Sequence, residues 1–422
     1  MNEKIYNSYL FILRRELVPA MGCTEPISVA YAGALAKKAL KAVPERIELR
    51  VSGNIIKNVK SVIVPHTNGR KGLKTAVCAG IVFGDPEREL EVLSDVSEEQ
   101  LNALDVYLEK TDVSVTRSDA PCPFDIQVTV FNGEKSAFVR IIGDHTNVVE
   151  IRSGDKTVVS KPYTEELSGL PEEYKLLNIA DIVDFAEAVR TDDVADILDR
   201  QINYNTAIAE QGLTGNYGAG IGKILLDSYG DALQNRAKAW AAAGSDARMN
   251  GCELPVVINS GSGNQGITAS LPVVVYAEEL GASKEKLYRA LTISNLVTIR
   301  LKREIGCLSA YCGATSAGVG AAAGISYLYG GGFSEVSHTV VNAIAINSGM
   351  VCDGAKSSCA AKIASAVGAG LLGMYMYING REFFGGDGIV VKGVENTIDA
   401  VSTLARDGMR ETDEEIIRLM LR

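Results

Sequence analysis

Two late stretches, Ala314 to Gly324 and Ala360 to Gly373, read as helices yet are dominated by Gly, Ala and Ser. Glycine disfavours an isolated helix, and small side chains bury little surface singly, so such segments persist only where backbones pack together inside a bundle. The surrounding sequence agrees. From about residue 175 strand signals nearly vanish, and Ile179 to Val189, Asp193 to Gln211, Asp231 to Ala243, Lys284 to Ile305 and Glu411 to Leu421 carry helical patterns. A membrane bundle is the competing reading. Lys356, Lys362 and many glycines interrupt the apolar runs, which fall short of the roughly 18 clean residues a span needs. The expectation is therefore no membrane.

The first part differs. Residues 5–16 and 26–41 read as amphipathic helices, the second entered through Thr24-Glu25-Pro26, a capping side chain with an early proline. Ile47 to Val51, Val113 to Val115, Asp125 to Phe131, Ala137 to Ile142 and Val148 to Ile151 then gather β-formers between turns such as Asn132-Gly133, with helical stretches near 71–84 and 97–108. The fold class expected is α+β with two domains, a small α/β N-terminal domain and a larger all-α C-terminal domain with small-residue-rich central helices. The divisions read as 1–44 for N-terminal helices carrying Cys23, 45–170 for the α/β domain and 171–422 for the helical domain.

Charge narrows the partners. With 42 Lys+Arg against 52 Asp+Glu the net charge is -10, so no general field attracts nucleic acid or anionic lipid. Charges at Glu3, Lys4, Arg14, Arg15 and Glu16 break up any apolar centre of a secretion signal, and a cytoplasmic location is expected. In that reducing setting the eight cysteines point to metal binding, catalysis or core packing before disulfides.

Cys23, Cys312 and Cys359 each stand just before a helix rich in small residues. A helix N-terminus lowers a thiol's pKa and favours the thiolate needed for metal ligation or proton abstraction, although small apolar cysteines also suit tight helix contacts. Zinc is a poor fit, because paired C-x2-C knuckles are absent and His66, His145 and His338 are scattered. An iron-sulfur cluster asks for thiolates without a fixed knuckle, and three protein thiolates on four irons would leave one iron open.

Ser260-Gly261-Ser262-Gly263-Asn264-Gln265-Gly266 contains G-x-G-x-x-G after an apolar run and before a helix. A dinucleotide site also needs a parallel strand further on, where 284–305 is strongly helical. Without a nucleotide, the loop still offers N–H groups at a helix start, a seat for a small carboxylate. Two further loops, Pro65 to Lys74 with His66 and Gly385 to Lys392, read equally as anion sites or as solvated turns.

Met21-Gly22-Cys23-Thr24-Glu25-Pro26, the 260–266 loop, Cys312-Gly313-Ala314 and Cys352-Asp353-Gly354-Ala355-Lys356-Ser357-Ser358-Cys359 together resemble the L-cysteine desulfidase family, which is related to the α chain of iron-sulfur L-serine dehydratases. The likeness spans essentially the whole chain. It implies a [4Fe-4S] cluster on Cys312, Cys352 and Cys359, with Cys23 as the base that removes the α-proton. Cys307, close to the first ligand, is a candidate substitute for Cys312; Cys78, Cys122 and Cys252 read as structural. The implied reaction takes L-cysteine and water to pyruvate, ammonia and hydrogen sulfide. Thr24, Glu25, Ser260, Gly261, Ser262, Gly263, Asn264, Gln265, His66 and Lys392 are the candidate substrate-binding residues. A small-molecule amino acid is the expected partner, and the build is compatible with a homodimer. L-serine dehydration by the same mechanism and a non-catalytic iron-sulfur sensor stay open.

Overall fold

The computed structural model describes residues 1–163, 171–306 and 308–421, so Cys307, the candidate substitute ligand, lies outside the described residues. The chain opens with α1 (Glu3–Glu16), β1 (Pro19–Met21) and α2 (Thr24–Leu40), followed by β2 (Arg46–Val51), α3 (Gly53–Val59), α4 (Gly72–Phe83) and α5 (Glu98–Lys110). Five strands follow, β3 (Asp112–Arg117), β4 (Asp125–Asn132), β5 (Lys135–Ile142), β6 (Val148–Ser153) and β7 (Lys156–Ser160). Among the described residues the remainder is mainly helical, with one short strand. It comprises α6 (Ile179–Ala188), α7 (Thr191–Thr214), α8 (Ile221–Tyr229), α9 (Leu233–Met249), β8 (Pro255–Val257), α10 (Gly263–Glu279), α11 (Lys284–Arg303), α12 (Gly313–Leu328), α13 (Phe333–Ile346), α14 (Cys359–Ile378), α15 (Val394–Thr403) and α16 (Arg410–Met420). This is the α+β class with a small sheet-bearing part and a larger helical part.

The sheet orders as β3-β2-β4-β5-β6-β7, with β2 and β3 parallel and the other pairs antiparallel. Parallel neighbours need a crossover, which α3, α4 and α5 supply. Along β2 the apolar Ile47, Leu49 and Val51 are buried while Arg46, Glu48 and Arg50 face out, the period-two pattern of a sheet covered on one side. Against that covered face lies α2, packed on β4, β5 and α4 and buried around most of its girth. Gly80 allows the approach of α4 to α2, because a Cβ there would strike the Ala30 backbone.

In the helical part α12 is central and contacts α10, α11, α13 and α14. Its small residues work as their composition predicts. A Cβ on Gly318 would lie 2.5 Å from the Ala366 carbonyl oxygen, so α12 and α14 meet backbone to backbone. α14 is long and apolar enough to cross a membrane by length and composition alone; half of its most apolar window is buried against other helices.

The two parts are stitched together by β1 and β8, an antiparallel pair in which Pro19 faces Val257 and Met21 faces Pro255. The ribbon brings the start of α2 next to the loop that enters α10, and the Thr24 hydroxyl donates to the Gly261 carbonyl at 2.9 Å.

Candidate active site

Four helix N-termini converge on one cavity of about 100 Å³. Cys23 caps α2, Ser262 caps α10, Cys312 caps α12 and Cys359 opens α14, and all four line it. Each end presents unpaired N–H groups and a partial positive charge.

The thiol cluster follows from local pairing. Tyr311 and Val351 form an antiparallel bridge, the Cys312 N–H donates to the Met350 carbonyl at 2.9 Å, and the Cys352 N–H donates to the Ala310 carbonyl at 2.7 Å. Cys312 and Cys352 thereby lie side by side, their sulfurs sharing a hydrogen bond. Gly354, at φ +91°, takes a left-handed turn whose Cβ would strike the Lys57 carbonyl; only glycine fits easily. The turn leads to Cys359, whose sulfur lies 3.7 Å from the Gly354 carbonyl oxygen.

The electrostatics around these sulfurs are uneven. The Cys312 hydrogen bond, with help from Lys57, Lys302 and the Gly354 N–H, holds the Cys352 thiol below its usual pKa against burial. The same bond and burial push Cys312 up, and burial pushes Cys359 up. Lys57 is itself buried and fixed by an ion pair with Asp413 of α16. Among the described residues no three His, Cys, Asp or Glu side chains gather closely enough to hold a single metal ion.

Cys23 sits opposite, packed with Val62 and Met249 against Ala355 and Cys359. Gly22 places it: at φ +61° its missing Cβ leaves room for the Pro65 ring. The Cys23 thiol donates to Glu25 Oε2 at 3.1 Å, and Asn58 Nδ2 donates to Oε1 at 2.9 Å. The helix end does not make this sulfur a thiolate, contrary to the sequence-based expectation. Burial, then the Glu25 charge, drives its pKa well above the ordinary thiol value, and the Arg248 charge only partly opposes them. Burial pushes Glu25 upward too, but His145, the Cys23 hydrogen bond and Arg248 together hold its carboxyl below the usual range.

Of the expected substrate-binding residues, Glu25, Ser262, Asn264 and Gln265 line this cavity. Gly263 is beside it, its Cβ position taken by the Arg248 guanidinium. Thr24 is buried and spans between Glu25 and the 260–266 loop. Ser260 and Gly261 instead line a second cavity of about 240 Å³ that holds Glu16, His145 and Tyr174, because the loop turns at positive φ at both residues. His66 also lies off the thiol cavity, with Nδ1 3.3 Å from Glu253 Oε1. Lys392 is exposed in the turn between α14 and α15 and does not reach it.

Residues 87–418 match the model of the serine dehydratase alpha chain family. The chain belongs to that family. Relatives called "UPF0597 protein" match along nearly their whole length. One from Desulfitobacterium hafniense is 54% identical over 99% of this chain and 97% of its own. Another from Lachnoclostridium phytofermentans is 48% identical over 99% and 100% respectively, and one from Finegoldia magna is 46% identical over 98% and 99%. The kinship expected from the cysteine motifs thus holds at the level of the serine dehydratase alpha chain, while none of these three names specifies cysteine as substrate.

For this serine dehydratase alpha chain relative, sequence reasoning missed Asn58, Arg248 and Lys302, which also line the cavity. Arg248 had a readable signal, since Asp246 and Arg248 are lone charges at the end of the small-residue run Ala241 to Ala247. Asn58 and Lys302 had none, because both stand in segments with ordinary surface-like polarity.

Proposed function

We propose that the chain is an iron-sulfur lyase that eliminates hydrogen sulfide from L-cysteine, giving pyruvate and ammonia. One observation carries the reading: Cys312, Cys352 and Cys359 line the same small cavity as Cys23, and three of these four cysteines, Cys23, Cys312 and Cys359, stand at convergent helix N-termini.

The donor set suits a cluster. A single ion needs its ligands gathered on one point, and no such trio exists among the described residues. A polynuclear cluster takes thiolates at separate corners, so sulfurs ringing a cavity are what it requires. Cys312, Cys352 and Cys359 would hold it, and the helix ends with Lys57 and Lys302 would balance its negative charge. Bound there through three cysteines, a [4Fe-4S] cluster supplies an open iron, a Lewis acid for the departing sulfur.

The protein's own groups then manage the proton. Glu25 Oε2 is already the acceptor for the Cys23 thiol proton. Passing that proton to Glu25 is uphill in these surroundings, where Cys23 is held high and Glu25 low, so the thiolate is a minor population, but once formed its Sγ is a strong base that takes the proton from the substrate α-carbon. Asn58 and Thr24 keep the Glu25 carboxylate in place for that exchange. On the Cys23 side the lining residues Cys23, Glu25, Asn58 and Arg248 are buried, which shields the proton exchange from competing solvent. The aminoacrylate released needs no further help; it tautomerises and hydrolyses in water.

L-serine dehydration is the second reading, favoured by the name of the matched family. Anaerobic reconstitution, iron and sulfide analysis, and pyruvate release from each amino acid separate the two. Higher kcat/KM on L-cysteine with stoichiometric sulfide is the expected result; higher kcat/KM on L-serine moves the assignment to dehydratase. Pyruvate from neither amino acid, with iron bound, sinks both. Cys23→Ala should abolish turnover while leaving the cluster spectrum intact, and an unchanged rate would remove Cys23 from the mechanism.

A further inference from the structure

Among the described residues, Arg248 is a buried charge with two unanswered donor nitrogens. It is 2% exposed and lines the thiol cavity. Nη1 donates to Asn264 Oδ1 at 3.1 Å, whereas the buried Nε and Nη2 have no hydrogen-bond partner among the described residues. A buried cation left so is costly unless an anion completes it. Glu25 and Cys23 feel the charge of Arg248, yet neither forms a hydrogen bond with it.

The identity of the two open donors narrows what is missing. Nε and Nη2 lie along one edge of the planar guanidinium and present two parallel N–H groups, the fork that takes both oxygens of a carboxylate. Asn264 fixes the fork from the far side by occupying Nη1. Gly263 keeps the near side clear, since a Cβ at that position would fall on Nε and only 2.7 Å from Cζ. Gly263 and Asn264 of the 260–266 loop therefore serve the arginine, and the loop is not the sole seat for a carboxylate.

We propose that Arg248 binds the α-carboxylate of the substrate through its Nε–Nη2 edge, restricting the site to free α-amino acids. The assignment rests on the lyase reading for the nature of the substrate, but its test does not depend on turnover. L-alanine has the carboxylate and ammonium groups and no leaving group; L-alaninamide lacks the anionic carboxylate. Equilibrium binding of both is measured by calorimetry on anaerobically reconstituted protein, for wild type, Arg248→Gln and Arg248→Lys, alongside iron content.

Wild type should bind L-alanine more tightly than L-alaninamide. Arg248→Gln should weaken L-alanine about 100-fold and Arg248→Lys about 10-fold, with L-alaninamide and iron content unchanged. Should Arg248→Gln fail to fold, the Lys variant, which keeps the charge and loses the fork, gives the same contrast. Equal binding of the two ligands by wild type, or equal weakening of both by either variant, overturns the proposal. So does loss of iron with L-alanine binding retained, which would make Arg248 a counter-charge for the cluster. If L-alanine binding depends on Arg248 while neither L-cysteine nor L-serine is turned over, the carboxylate assignment stands and the lyase reading falls.

Discussion

The sheet part and the helical part treat a buried charge in opposite ways. Asp125 on β4 is fully buried and fully answered, accepting from Ser118 Oγ at 2.5 Å, Gln127 Nε2 at 2.7 Å and Arg140 Nε at 2.8 Å. Asp246 and Arg248 on α9 are as deeply buried, but Asp246 Oδ1 and two of the Arg248 nitrogens have no partner. Buried polar groups are normally satisfied, and the exceptions concentrate where a protein does its work. At Asp125 the sheet part answers its buried charge from its own side chains, whereas on α9 Asp246 leaves an acceptor free and Arg248, in the wall of the thiol cavity, leaves donors free.

That contrast can be broken most forcefully at the sulfurs. Cys352→Ala and Cys359→Ala should each reduce iron bound after anaerobic reconstitution to background and lower sulfide release more than about 100-fold, with helicity by circular dichroism retained. Iron binding that survived both substitutions would leave the helical part without its occupant.

The second effect belongs to the scaffold. Asp125→Asn removes the charge that Arg140 requires and should destabilise the fold by about 3 kcal/mol in urea titrations. Asp246→Asn should be neutral or stabilising at pH 7, and a loss as large as that at Asp125 would erase the distinction between the halves.

Packing offers a third, smaller test. Gly318→Val forces a side chain onto the α14 backbone and should cost about 1–3 kcal/mol or more, whereas Val128→Ala in the sheet leaves only a small gap, worth about 1–2 kcal/mol. Both are read from thermal melts; a harmless Gly318→Val would mean that the α12–α14 contact has slack.

The smallest effect is a pH slope. Burial lifts the Asp246 carboxyl to about 6, even though the Gly222 N–H donates to it. Between its unfolded value near 4 and that point the folded chain keeps a proton the unfolded chain has released. This contribution makes stability fall as pH rises from about 4 to about 6 and then level off, by a few degrees of melting temperature. Asp246→Asn should flatten that part of the profile, and parallel profiles for the two proteins would place the slope elsewhere.

How much of this was legible beforehand depended on whether a pattern was local. The small-residue stretches around Gly318 and Gly370 announced backbone contact, and the alternation in Ile47 to Val51 announced a one-sided strand, because each reflects a repeat of a few residues. Short elements such as α3 and β7 gave too few periods to read. The G-x-G-x-x-G loop shows the limit of motifs: β8 is three residues long and pairs antiparallel with β1, and α10 and α11 follow it. The cysteines of the site were visible as residues. Their company was not, since Asn58 and Arg248 meet Cys23 only through packing between segments far apart in the chain. The sign of the Cys23 shift also escaped, because a helix end is a local feature whereas burial and the Glu25 carboxylate act through the folded surroundings.

The ribbon of β1 with β8 also sets a timetable. The nascent chain exposes Met21 and Cys23 long before Pro255 to Val257 emerge to pair with them, and Cys352 and Cys359 come later still. At about 5–20 residues per second the early thiol waits on the order of tens of seconds on the ribosome before its neighbours exist. The cluster proposed for Cys312, Cys352 and Cys359 could accordingly assemble only late in biosynthesis, after Cys23 has long been exposed.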